Sequence, residues 1–318
     1  EVDSLTIQDD QSTERARSND PLHATLTTGQ AAQLIRLAVA AAAERGLLAE
    51  YDGAGALNLR PRSGAFTSGF TPTLVAGLTN LARIVSGYPL RDWPELVAAH
   101  FDQLGDSLLH GPPPPPTDPE ADLLLRLTPT TSLPPDWTAT TPEFVPGVLA
   151  VPATYDQGVV TMHLDPADFG MSRPEAEQAG LANLRRLTDE VEYVDYAGGQ
   201  VAVLSGSTFT ASRALVLDTV LRESLHVENP RYGVLAAMPV RDLLILHVIK
   251  DLSLIPALAL MLNLTLRAHL EHPGPLTPWI YLVTDNTWHP ATNQPTSLSD
   301  IHLSPKTLAL AHTLQQFE

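Results

Sequence analysis

The sequence predicts an α+β fold, in which helices pack on a mixed, largely antiparallel sheet and a proline-rich insert joins an N-terminal helical and hairpin module to the rest. Three observations lead to this prediction. Helix-capping motifs precede segments whose apolar residues recur at helical spacing. Short apolar runs are separated by turn residues more often than by the long crossovers that parallel strands need. No repeat with a period of about 20–50 residues occurs, which excludes solenoids and propellers.

The N-terminal α+β module is predicted over residues 22–110, after a polar, flexible tail at residues 1–21. Thr27 and Gln30 have the spacing of a capping box, so a helix is expected to begin there. Asp92 precedes a segment whose apolar residues share one helical face. The predicted elements are a helix from Thr27 to about Gly46, strands at 55–60 and 65–70, a helix from Thr71 to about Ile84, and a helix from Asp92.

Residues 111–145 are predicted to be a proline-rich linker or insert. The five consecutive prolines at 112–116 favour the polyproline II conformation, which makes a semi-rigid spacer. The alternative is a proline-rich ligand for an SH3-like partner. Apart from histidine, every basic residue except Lys250 and Lys306 is arginine, which is typical of GC-rich bacterial genomes. Because bacteria offer few such partners, the linker is the favoured interpretation.

The main α+β module is predicted over residues 146–290, and a C-terminal tail with a short helix is predicted at 291–318. Ser172 and Glu175 form a second capping box, and residues 197–199 allow a tight hairpin turn. The predicted elements are strands at 148–151 and 159–163, a helix from Ser172 to about Thr188, strands at 192–196 and 200–204, a helix at 209–225, strands at 234–238 and 243–248, a helix at 256–270, a strand at 279–284, and a helix from Ser304.

Composition excludes several classes of protein. The chain of 318 residues contains no cysteine, so it has no disulfide scaffold, thiol nucleophile or cysteine-ligated metal. Its 36 acidic and 19 basic residues give a net charge of −17, which argues against nucleic acids and anionic membranes as partners. No apolar run is long enough to span a bilayer, and residues 1–21 lack the pattern of a signal peptide. We therefore expect a cytoplasmic protein.

Several segments of the main module carry motifs in a characteristic order. Residues 209–215 read FTASRAL, residues 235–245 read LAAMPVRDLLI, and both are preceded by a helical segment at 174–187 and followed by an apolar strand at 276–285. In this order they resemble the uncharacterised bacterial proteins of the YtpQ type, a family of unknown function with a D-A-S-R helix start and an A-x-P-x-x-D run. The resemblance covers most of residues 146–290. It implies a single composite α+β unit and no particular activity.

Two polar segments are candidates for a binding site. Ser212 and Arg213 fall in the first turn of the predicted helix at 209–225, where free N–H groups and the helix dipole favour an anion. Arg241 and Asp242 lie in a turn between two apolar runs, and the guanidinium could bind a carboxylate or phosphate in a forked manner. Together the four predict a site for an acidic group. The alternative, favoured for the turn, is that Ser212 caps its helix, Asp242 pins the turn and Arg241 pairs internally.

Metal and nucleophile motifs are incomplete. His163 with Asp165, and Asp285 with His289, each supply two ligands, whereas a catalytic zinc ion needs three. The sequence contains neither a phosphate-binding glycine loop with lysine nor a complete nucleophile elbow. We therefore expect no metal and no cofactor.

The expected function is that of a non-catalytic binding or protein-interaction module, whose partner is another protein or a small anionic ligand. The alternative is a hydrolase or transferase that acts on an anionic small molecule at the Ser212/Arg213 and Arg241/Asp242 segments. The two functions differ in one geometric requirement: an enzyme needs these residues to converge in one concave pocket.

Overall fold

The computed structural model describes residues 20–61, 74–109, 116–156, 159–293 and 302–316. The chain divides into two compact units, Glu1–Pro113 and Pro114–Glu318, which we call unit 1 and unit 2. Helices and antiparallel sheets occur in both units, so the predicted α+β class is confirmed.

The described residues of unit 1 form a three-stranded antiparallel sheet, in the order β1-β2-β3, and three α-helices. A short 3-10 helix at Pro21–Ala24 precedes them. The bounds are α1 Thr28–Glu44, β1 Leu47–Tyr51, β2 Ala56–Pro61, β3 Leu74–Gly77, α2 Thr79–Ser86 and α3 Trp93–Leu109. One apolar core joins the helices to the sheet, with Leu34, Leu57 and Trp93 among its buried members.

The helix starts of unit 1 test the capping predictions. The Thr27 and Gln30 side chains each bond the other's backbone N–H, so the capping box is confirmed. The helix predicted from Thr71 is wrong over residues 74–78, because Leu74–Gly77 pairs with β2 as a strand and the helix begins at Thr79. Strand pairing overrides the local preference for a helix at these residues.

The strand predicted at 65–70 lies outside the described residues.

Asp20 anchors the start of unit 1, although the sequence pattern assigns residues 20 and 21 to a tail. Its Oδ1 atom accepts from the backbone N–H of Leu22 at 3.0 Å, and its Oδ2 atom accepts from the Tyr51 hydroxyl at 2.5 Å. The backbone N–H of Gly55 donates to the same hydroxyl at 3.0 Å. These bonds link the 3-10 helix to β1 and to the β1–β2 turn.

Unit 2 contains a six-stranded and a three-stranded sheet, both antiparallel, in the orders β12-β11-β9-β10-β8-β7 and β4-β5-β6. Its strands are β4 Leu124–Pro129, β5 Val148–Asp156, β6 Val159–Met162, β7 Glu190–Tyr196, β8 Gly199–Ser205, β9 Val234–Ala237, β10 Leu244–Val248, β11 Ile280–Thr284 and β12 Thr287–Pro290. Its α-helices are α4 Pro119–Asp122, α5 Pro135–Thr138, α6 Arg173–Leu184, α7 Leu217–Glu223, α8 Leu254–Glu271 and α9 Pro305–Gln315.

The six-stranded sheet is covered on both faces. One face packs against α8 and α9 through a core that includes Leu235 and Ile245. The other packs against α7, the 3-10 helix Ala211–Val216 and residues of the three-stranded sheet, through a core that includes Ala236 and Leu246. All four residues of β9 are therefore buried, as expected of a strand between two apolar layers.

The β7–β8 hairpin turn has the backbone conformation that the sequence predicts. Ala197 and Gly198 both adopt positive φ values, 50° and 84°, which a tight hairpin turn of this kind requires. Gly199 allows the close approach of α8, because a Cβ atom there would lie 2.5 Å from the carbonyl carbon of Pro256. The hairpin is thereby fixed against the first turn of α8.

The region predicted as a proline-rich linker is largely structured. Residues 110–115 lie outside the described residues, but β4 pairs with β5 from Leu124↔Ala153 to Pro129↔Val148. Gly180 lets α6 approach β4, since a Cβ atom there would lie 2.8 Å from Leu125 Cγ. Most of residues 116–145 thus belong to unit 2, where the described prolines Pro119, Pro134 and Pro135 lie at the starts of short helices. The predicted spacer at 112–116 lies almost entirely outside the described residues.

Candidate functional site

Arg213, one of the four predicted site residues, lies inside unit 2. It occupies the 3-10 helix Ala211–Val216, and its side chain is 1% exposed. The Nη1 atom donates to Oδ2 of Asp189, the residue before β7, whose side chain is fully buried. Burial raises the pKa of the Asp189 carboxyl, and the charge of Arg213 opposes that shift. The guanidinium is therefore engaged within the fold and turned away from solvent.

Ser212 is also buried and has a structural partner. Its hydroxyl oxygen accepts a hydrogen bond of 2.9 Å from the backbone N–H of Leu127 in β4. This bond ties the 3-10 helix to the three-stranded sheet. The sequence interpretation of Ser212 as a helix cap is wrong, because the structure shows no side-chain cap bond at this helix start.

The two predicted segments do meet through their backbones. The N–H of Ala211 donates to the carbonyl oxygen of Arg241 at 3.2 Å. The N–H of Arg241 donates in turn to the carbonyl oxygen of Gly274 at 2.9 Å. Gly274 adopts a φ of +70°, and a Cβ atom there would lie 2.6 Å from Arg241 Cδ, so only glycine leaves room for the arginine stem. Arg241 is thus half-buried and held in position, while Asp242 is exposed.

The structure adds a second arginine to this turn. Arg126 lies on β4, is half-buried, and its Nη1 atom donates a long hydrogen bond of 3.4 Å to Thr208 Oγ1. Its guanidinium carbon stands 5.7 Å from the ring centroid of Phe209, a cation–π contact. Arg126 lies on β4, which pairs with β5 and is bonded through Leu127 to Ser212. The backbone bond between Ala211 and Arg241 attaches the Arg241 turn to the same 3-10 helix.

The charges around Arg126 and Arg241 differ from those around the ion-paired arginines of the chain. Burial, and next the charge of Arg241, lower the pKa of Arg126 to about 10, while the charge of Asp242 acts in the opposite direction. Arg126 nevertheless stays charged near pH 7. Among the described residues, neither arginine has a carboxylate within ion-pair distance. Arg126 is therefore a desolvated cation that interacts electrostatically with Arg241 and Asp242, and it has no ion-pair partner among the described side chains.

No family model matches the chain, and no curated protein or solved structure is significantly similar to it.

Of the predicted residues, only Arg241 and Asp242 reach the surface, and sequence reasoning missed Arg126. The signal that could have found it is the alternation of Leu125, Arg126 and Leu127, which places a charge on the other face of an apolar strand. In the sequence alone, however, the surrounding prolines favour a linker, so this alternation does not predict a strand.

Three clefts are lined by other parts of unit 2. One of about 850 Å³ lies between α7 and the β11–β12 turn, and one of about 580 Å³ is lined by Arg185, Asp218 and Trp288. A third, of about 390 Å³, lies beside the ends of β8 and β10. None of the four predicted site residues lines any of these three clefts. An enzyme would need the four predicted residues to converge in one concave pocket. None of these three clefts brings them together.

Two further findings bear on partners. Within the described ranges, no cluster of three or more histidine, aspartate or glutamate side chains has the arrangement of a metal site. Among the helices that the structure describes, none combines the length and apolar composition needed to cross a membrane.

Proposed function

We propose that unit 2 is a non-catalytic binding module for a small anionic ligand, held between Arg126 and Arg241. One observation carries this proposal: the half-buried Arg126 feels the charge of a second arginine, Arg241, and neither forms an ion pair with a carboxylate of the described residues. A phosphate or carboxylate group at this position would relieve the repulsion between the two cations and accept their hydrogen bonds.

The acid excess of the chain strengthens the proposal. With 36 acidic and 19 basic residues, partners for an arginine are plentiful. Arg45, Arg173, Arg185 and Arg213 each have such a partner on unit 1 or unit 2. Burying a charge without a partner is costly, so a site that keeps one unpaired supports a ligand role.

Thr208 and Asp242 complete the chemistry of the proposed site. The Thr208 hydroxyl, which accepts from Arg126, can donate its own proton to an anionic oxygen. The exposed Asp242 carboxylate repels an anionic group that approaches it. It therefore favours ligands that also carry a hydrogen-bond donor. The ligand class is therefore a small phosphate or carboxylate compound.

Binding is better supported than catalysis. A hydrolase or transferase at these segments would need a nucleophile or base beside the arginines. The Ser212 hydroxyl is buried and accepts from Leu127 N–H, and Asp242 stands exposed without an orienting partner among the described residues. The geometry thus supports recognition of an anion and supplies no activated group.

Calorimetric titration with inorganic phosphate and inorganic pyrophosphate tests the proposal. We expect saturable binding, with movement of the Arg126 and Arg241 side-chain Nε–Hε signals in nuclear magnetic resonance spectra. Arg126→Gln and Arg241→Gln should each weaken the binding by about ten-fold or more, since each removes one charge-assisted contact.

Arg267→Gln is the matched control. Arg267 is 76% exposed on α8 and pairs with Glu271, so its loss removes the same charge from the chain without touching the site. If pyrophosphate binds Arg126→Gln and Arg267→Gln equally well, or does not bind the unaltered protein, the proposed function is wrong.

The proposal also covers the family of the chain and its location in the cell. We propose that the chain is a cytoplasmic bacterial protein of the YtpQ type, because the segments at 209–215 and 235–245 carry that family's motifs. These segments contain Phe209 and Arg241 of the candidate site and adjoin Thr208. The net charge of −17 also supports a ligand that is small rather than a nucleic acid.

A further inference from the structure

A separate cleft of about 390 Å³ opens where the pairing of β8 with β10 ends. The last paired residues of this ladder are Leu246 and Ala202, while β10 continues to pair with β9 through His247 and Val248. Beyond Leu246 the two strands separate, and the His247 ring bridges them by bonding the Gln200 carbonyl oxygen. None of the cleft's lining residues belongs to the Arg126–Arg241 site.

His247 lines this cleft and has an unused acceptor. Its Nδ1 atom lies 2.7 Å from the carbonyl oxygen of Gln200, and a carbonyl can only accept, so the proton of the neutral ring resides on Nδ1. The Nε2 atom then carries a lone pair. The residue is 8% exposed, and Nε2 is buried without a hydrogen-bond partner among the described residues. Native proteins rarely leave such an atom unpaired, so a partner beyond the described side chains is expected.

The ring remains neutral and therefore an acceptor near pH 7. Burial lowers the pKa of His247, and the charge of Lys250 lowers it further. The Gln200 hydrogen bond and the Asp251 carboxylate act in the opposite direction. Tyr193 of β7 and Lys250 are the other titratable side chains that line the cleft.

The remaining lining defines the class of ligand. Lys250 is exposed at the cleft, and its ammonium group is a partner for a carboxylate. Val201, Leu246 and Val248 supply an apolar wall. A volume of about 390 Å³ suits a compact molecule, and pockets of this size combine apolar walls with a few orienting polar groups.

We propose that this cleft binds a small hydroxy acid, whose hydroxyl group donates to His247 Nε2 and whose carboxylate pairs with Lys250. The apolar body of the ligand lies against the wall between them. The site goes beyond the anion site at Arg126 and Arg241, and it requires a donor and a carboxylate on the same molecule. A bare phosphate does not meet both conditions.

Three probes separate the two contacts. 4-Hydroxybenzoate carries both groups, benzoate lacks the donor, and phenol lacks the carboxylate. In the full-length protein with ¹⁵N-labelled histidine, 4-hydroxybenzoate should move the His247 Nε2 resonance and bind about ten-fold more tightly than either comparator. His247→Phe should abolish the preference for 4-hydroxybenzoate over benzoate.

The chain contains only two lysines, which gives an internal control. 4-Hydroxybenzoate should slow acetylation of Lys250 by acetic anhydride, measured by mass spectrometry, and leave that of Lys306 unchanged. Lys250→Met should weaken binding about ten-fold, and Lys306→Met should not. Lys250 is exposed, so this variant keeps the test valid if His247→Phe fails to fold.

Absence of probe binding, equal affinity for the three probes, or an unmoved Nε2 resonance would each overturn the proposal. So would equal protection of both lysines.

Discussion

Arg213 and Asp189 form an ion pair that has no access to solvent: their side chains are 1% and 0% exposed. Arg213 lies in the 3-10 helix beneath the six-stranded sheet, and Asp189 directly precedes β7. Ser224, which follows α7, adds a hydrogen bond of 3.4 Å to Asp189 Oδ2. The pair therefore connects the helical layer to the start of an edge strand, in the region where the sequence suggested an anion site.

Arg213→Met should lower the free energy of unfolding by about 3–5 kcal/mol, because it leaves the Asp189 carboxylate buried and unpaired. The double variant Arg213→Met/Asp189→Leu should recover much of this loss, since no charge then remains inside. Urea denaturation followed by circular dichroism measures both. The control is Arg267→Met, which breaks an exposed pair and should cost less than about 1 kcal/mol. Equal losses for Arg213→Met and Arg267→Met would contradict the assigned role.

Gly233→Ala should be strongly destabilising. A Cβ atom at Gly233 would lie 2.2 Å from the Val283 carbonyl oxygen, which belongs to β11 and cannot move without disturbing the sheet. We expect a loss of on the order of 3 kcal/mol. Gly147→Ala is the matched control, because Gly147 has the same φ of +78° but a Cβ atom there would meet no atom within 4 Å. Its cost should be about 1–2 kcal/mol, from the backbone conformation alone. Urea denaturation compares the two, and similar costs would refute the steric explanation.

Tyr51→Phe should destabilise unit 1. The change removes the hydroxyl that donates to Asp20 at 2.5 Å, and leaves a largely buried carboxylate with one partner fewer. The expected cost is about 1–3 kcal/mol. Burial, and next the hydrogen bond to Asp20, raise the pKa of Tyr51, so its phenolate absorbance should appear only at strongly alkaline pH. The exposed Tyr88 provides the control variant, Tyr88→Phe, which should be close to neutral. A cost no larger than that of Tyr88→Phe would show that the hydroxyl contributes nothing.

His247 should make stability depend on pH. Burial lowers its pKa in the folded protein below the value of about 6.5 in the unfolded chain. Between these two values the unfolded state binds more protons, so stability rises with pH and is lost as the pH falls below about 6.5. The pKa values of His100 and His163 are also lowered by burial, so they contribute to the same slope.

The contribution of His247 is isolated by the variant His247→Phe, which should show a shallower loss of stability than the unaltered protein between about pH 7 and pH 5. His312→Gln, on the exposed face of α9, is the control and should follow the unaltered protein. Parallel curves for the unaltered protein and His247→Phe would refute the prediction.

Local signals in the sequence predicted much of the fold. The capping box at Ser172 and Glu175 is present, and the hairpin turn at 197–198 has the required positive φ values. Such features depend on residues within one turn of each other, so the local sequence contains the information. The helix at 209–225 was predicted only in part, because its first half is the 3-10 helix Ala211–Val216.

Non-local relationships could not be predicted in the same way. Asp189 precedes Arg213 by 24 residues, and nothing in either segment specifies the pairing. Arg126 reaches Thr208 across 82 residues, because β4 joins the three-stranded sheet. The prolines around β4 favoured a linker, whereas tertiary packing places this short strand against α6 and β5. The candidate site depends on that placement, so only its Arg241–Asp242 half was accessible from the sequence.

The strand order also has a consequence for the growing chain on the ribosome. β9 is buried on both faces and lies between β10 and β11. During synthesis, β10 follows β9 closely, but β11 at Ile280–Thr284 emerges only after the whole of α8. Until then β9 has an open hydrogen-bonding edge on an apolar strand, which is a template for aggregation. A nascent chain that stalls before residue 280 therefore leaves a central strand of the six-stranded sheet with an unpaired edge.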